Sequence, residues 1–118
     1  MRDLGLRLLG MGSAVVLLTD GERGMHLLTA GQDRLAAAGR CLSESAAAWA
    51  DRVRYQPAST GGPVLTTGAG DAATAGLLLG VLARAGADEA AAIAARTAAL
   101  KVAGNRRLPR HTPEGRSR

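Results

Sequence analysis

The run Thr66-Thr67-Gly68-Ala69-Gly70-Asp71 leads directly into an alanine- and leucine-rich stretch. That order sets two glycines and one acid at the mouth of a helix. Backbone N–H groups at a helix mouth have no intrahelical partner and carry the positive end of the macrodipole. Glycine leaves no Cβ between those donors and an approaching phosphate oxygen. The N–H groups of Gly68, Ala69 and Gly70 would then form an anion hole for a transferring γ-phosphoryl group, whose charge is spread over three equatorial oxygens. Asp71, immediately behind them, stands where a general base could take the proton of an attacking hydroxyl. The chemistry indicated is phosphoryl transfer to an alcohol. A tight turn followed by an acid that complements the helix dipole would use the same residues with no ligand at all.

A second motif lies upstream. Val15-Val16-Leu17-Leu18-Thr19-Asp20-Gly21-Glu22-Arg23-Gly24 reads as an apolar strand ending in Thr-x-Gly-x-x-Gly. Gly21 permits a tight exit from the strand, and Thr19 offers a hydroxyl. An Asp-Gly turn joining two strands is the plain alternative for this segment. The two motifs, with Ala75-Gly76-Leu77-Leu78 after the second, resemble in content and order the C-terminal signature of the ribokinase-like (PfkB-type) carbohydrate kinases. The resemblance spans roughly residues 4–104. It implies the C-terminal portion of a three-layer α/β/α sandwich and ATP-dependent phosphorylation of a sugar or sugar-like alcohol. It implies Asp71 as catalytic base, Gly68, Ala69 and Gly70 as anion hole, and Thr19, Gly21, Gly24 and Gly70 as ATP contacts. Magnesium would accompany ATP, held mostly by phosphates and water. The family usually has an acid where Leu65 stands, implied to help hold a monovalent cation. Leucine cannot ligate one, which argues against cation dependence here. A bulky aromatic is common in the family where Ala73 stands.

The elements that must position these groups follow from pattern. Asp3–Leu9 reads as helical turns ended by Gly10 and Gly12. Ala14–Leu18 is a continuous apolar run, as in a strand buried on both faces of a parallel sheet. Met25–Thr29 is a second strand, and Gly31-Gln32-Asp33 a turn. Ala46–Val53 has helical propensity, while Val53–Gln56 reads equally as strand. Ser59–Pro63 is a loop, and Val64–Thr66 a short extended lead into the glycine turn. Asp71–Arg84 is a helix whose Gly76 and Gly80 allow close packing against the sheet or a neighbouring helix. Asp88 starts a further alanine-rich helix running to about Ala103, with Gly104-Asn105 as its stop. Trp49 and Tyr55 read as packing residues. His26 and His111 are isolated, and no set of His, Cys and acids has metal-ligand spacing.

With 118 residues, the chain makes one domain at most. The expected organisation is a nucleotide-binding part over 1–105 and a basic, irregular tail over 106–118. The family's sugar-binding N-terminal portion has no counterpart in the sequence. The chain is therefore expected to be a fragment of such a kinase, with a complementary N-terminal half or a second copy as candidate partner. The formal charge of +5 is concentrated in that tail, where five arginines face only Glu114. No aromatics interleave these arginines, so base stacking on nucleic acid is unsupported. Cys41 is the sole cysteine, which excludes a disulfide framework and fits a reducing, cytoplasmic setting. The apolar run from Leu8 to Leu18 follows Arg2 and Arg7. Asp3, the interrupting glycines and the lack of a small-x-small cleavage site argue against a signal peptide, and the run is too short to span a bilayer.

Two rivals share these residues. Gly68-x-Gly70-x-x-Ala73 satisfies a loose dinucleotide-binding fingerprint. That fingerprint, however, calls for a strand ending in an acid after one helix, and here another helix is expected. Asp71 would also face the pyrophosphate at a like-charge cost. The other rival is a non-catalytic remnant or interaction module, favoured by the missing N-terminal half. No Walker-type phosphate loop occurs, and Lys101 is the only lysine.

Overall fold

Five residues, Asp20–Gly24, separate the first two strands, too few for the crossover of a dozen or more residues that a parallel pair requires. The strands of the computed structural model, which describes residues 1–58 and 68–106, are accordingly antiparallel. β1 (Val15–Thr19) pairs with β2 (Met25–Thr29), with Val15 opposite Thr29 and Thr19 opposite Met25. β3 (Val53–Gln56) adds to the other edge of β2, with Met25 opposite Gln56. The sheet of the described residues thus runs β1-β2-β3, all antiparallel, which corrects the parallel-sheet expectation for the first strand. β1 is also mostly half-buried rather than enclosed on both faces.

Helices cover both faces. α1 (Arg2–Gly10) crosses one face at Gly5, where an added Cβ would come within 2.8 Å of Leu28 Cδ2. Arg34 closes the end of α1 by donating from Nη1 to the carbonyls of Leu9 (2.6 Å) and Ser13 (3.0 Å). On the other face Met25 and Leu27 point into the main core, because alternate strand residues share a side. That core is built with α5 (Ala69–Leu82) and α6 (Ala87–Arg106) and includes Ala73, Leu77, Ala90, Ala91, Ala94 and Ala95.

Between β2 and β3 the chain forms three short helices, α2 (Gln32–Ala36), α3 (Arg40–Glu44) and α4 (Ala46–Trp49). Gln32 and Asp33, expected in a turn, instead begin α2, with Gly31 as its N-cap. Val53–Gln56 resolves as strand because it can pair with β2, a long-range contact no local propensity reports. Trp49 is fully buried and donates from Nε1 to Ala85 O (2.8 Å), tying α4 to the α5–α6 turn. Thr29 Oγ1, also buried, donates to Trp49 O and accepts from Arg52 N at 2.8 Å. Tyr55 departs from the packing expectation. It is 54% exposed, stands against the His26 ring, and donates its hydroxyl to Arg23 O.

α5 and α6 form a tight helical hairpin. An added Cβ at Gly76 would lie 2.9 Å from Ala94 Cα, and one at Gly80 2.9 Å from Ala90 Cα. The two glycines therefore serve the neighbouring helix rather than the sheet. α5 ends in a Schellman arrangement, with Ala85 N donating to Gly80 O (2.9 Å) and Arg84 N to Val81 O (3.1 Å). The left-handed residue of that cap is Arg84 (φ 63°) instead of the usual glycine. Its side chain gives it another use. Arg84 Nε binds Glu44 Oε1 at 2.7 Å, and Nη1 reaches Cys41 Sγ and Leu82 O, each at 3.0 Å. The hydrogen bond to Glu44 is the main cause holding the Arg84 guanidinium above its ordinary pKa. α6 runs through Gly104 and Asn105 to Arg106, past the expected stop. A helical glycine costs only about 1 kcal/mol, which is affordable within an established 20-residue helix. Arg106 thus belongs to α6, and the rest of the basic tail, including His111, lies outside the described residues. No helix among those residues is long and apolar enough to cross a membrane.

Candidate functional site

Gly68 turns the chain into α5. It is the N-cap, at φ 85° and ψ −7°, a conformation that favours glycine. Its carbonyl accepts the first helical bond from Ala72 N at 2.9 Å. Among the described residues no side chain caps this end, and the N–H groups of Gly68, Ala69 and Gly70 find no acceptor. These are the donors the sequence assigns to an anion hole. Asp71 occupies the same first turn with its side chain exposed, and among the described residues it forms no ion pair. Thr74 Oγ1 donates back to Gly70 O (3.1 Å), so its hydroxyl is held along the helix and not at the mouth.

The fold brings the two sequence motifs together. Thr19, exposed at the end of β1, places its Oγ1 3.8 Å from where a Cβ on Gly70 would sit. That is ordinary contact distance, and Gly70 is itself exposed and helical. Among the described residues, therefore, neither a positive φ nor a close contact demands glycine at position 70. The loop glycines divide differently. Gly21 (φ 56°) opens a single 3-10 turn, Gly21–Arg23, and has open space around it. Gly24 (φ 99°) is buried, and an added Cβ would lie 2.9 Å from Pro57 Cα. The backbone explains glycine at 24 in full. Asp20 N donates to Gly24 O (2.8 Å), closing the loop, and Asp20 pairs with the exposed Arg23 at 3.7 Å.

One residue the sequence reading passed over stands at the mouth. Lys101, on α6, packs its Cε 2.9 Å and its Nζ 3.7 Å from the position of a Cβ on Gly68. Among the described residues no carboxylate lies within ion-pair distance of it. The signal was present in the spacing. In a helical hairpin, residues equally far from the turn face each other. Gly68 lies 16 residues before Arg84 and Lys101 lies 17 after it. The end of α5 that gathers unpaired N–H groups thus also has a primary ammonium beside it, and both favour an anion.

Thr66, Thr67 and Leu65 lie outside the described residues, and with them the expectation about a monovalent cation. Among the described residues no three His, Cys, Asp or Glu side chains converge as metal ligands would. The element after α5 is α6 and not a strand, unlike the dinucleotide-binding arrangement. Comparison of the chain with protein-family models, curated proteins and solved structures gives no match.

Proposed function

We propose that this chain binds ATP through its terminal phosphates at the mouth of α5 and serves phosphoryl transfer to the hydroxyl of a sugar or sugar-like alcohol. The fold is read as the C-terminal portion of a ribokinase-like sandwich, with the mixed architecture and the helices on both sheet faces as support. The observation that carries the functional reading is Gly70. A mid-helix glycine forgoes about 0.5–1 kcal/mol relative to alanine, an upper bound for the first turn, and among the described residues neither backbone angle nor packing asks for glycine at position 70. Close approach of a ligand to the amide is the reason this reading supplies.

In this reading the acceptor hydroxyl gives its proton to Asp71 as its oxygen attacks the γ-phosphorus. The bond from that phosphorus to the β–γ bridging oxygen breaks, and ADP leaves. The amides of Gly68, Ala69 and Gly70 hold the equatorial oxygens, and fixed donors of this kind are each worth about 10²–10³ in rate. Lys101 adds charge beside them, and Thr19 flanks the same mouth. Magnesium would enter with the nucleotide. The polypeptide that presents the sugar is the expected N-terminal kinase half or a second copy.

Titration calorimetry with ATP–magnesium and with NAD tests the assignment. Binding of ATP with no binding of NAD is expected, and the reverse would transfer the site to the dinucleotide reading. ATP binding with no transfer to any sugar, even with a complementary half supplied, would make the chain a nucleotide-binding module without catalysis.

A further inference from the structure

We draw no further inference here: the strongest candidate, the exposed apolar stripe of α5 formed by Leu78, Leu79 and Leu82, is an unpartnered helix face, and nothing in the structure shows what covers it.

Discussion

Gly70 and Gly24 sit in the two motifs of one proposed site, yet the backbone requires only one of them. Gly24→Ala meets a positive φ and the main chain of residues 57–58, so it should destabilise the fold by about 1–3 kcal/mol, read as a lowered urea midpoint. Gly70→Ala should leave that midpoint unchanged or raised, because it adds a better helix former whose Cβ meets, among the described residues, only Thr19 Oγ1 at an ordinary contact distance of 3.8 Å. Its effect should fall on ligand binding, where a methyl group now blocks the bare amide. Lys101→Ala is expected to weaken ATP about tenfold, equivalent to 1.4 kcal/mol, with an unaltered fold. Its side chain is exposed and, among the described residues, in no ion pair. Asp71→Asn should behave differently from both. ATP affinity should hold within about twofold while transfer in an assembled enzyme falls by about 10²–10⁴, and undiminished turnover would remove Asp71 from the chemistry.

At the scale of elements, the α5–α6 hairpin is what places Gly68, Gly70 and Lys101 at one end of the molecule. Gly76→Val would drive a branched side chain into Ala94 and Thr97. The expected cost is about 1–3 kcal/mol, followed by the fluorescence of buried Trp49, the only tryptophan. This hairpin was legible in the sequence, since its glycine spacing and its alanine-rich partner are local signals. So was β2, with the bounds Met25–Thr29. The orientation of β1 was legible in principle from the short Asp20–Gly24 link, but its continuous apolar character points toward a buried parallel strand. The segment from Gln32 to Gln56 was only partly legible: the helical propensity from Ala46 and the strand alternative at Val53–Gln56 match α4 and β3, whereas α2 and α3 were not read. Its three short helices are too brief to nucleate alone; Leu35 of α2 and Ala46 and Trp49 of α4 reach the shared core, and the half-buried Leu42 of α3 packs against it. Lys101 was missed for a related reason, being chemistry placed by tertiary pairing and not by a motif.

Across the whole molecule, the core rests on one tryptophan, a few leucines and many alanines. Small side chains remove little apolar area each, at about 25 cal/mol per Å², so the ligand-free chain should be only modestly stable. Modest stability makes bound nucleotide visible. A ligand at 100 times its Kd adds about 2.7 kcal/mol, and each kcal/mol moves Tm by about 4–8 °C in a domain of 60–100 residues. The most direct test is therefore a paired melting experiment on the native chain and Gly70→Ala, each with and without ATP–magnesium. ATP is expected to raise Tm by on the order of 10 °C in the native chain and to do little for Gly70→Ala, whose ligand-free Tm is equal or higher. An equal ATP shift in both proteins, or none in the native chain, would contradict the claim that the bare amides at the mouth of α5 hold a phosphate.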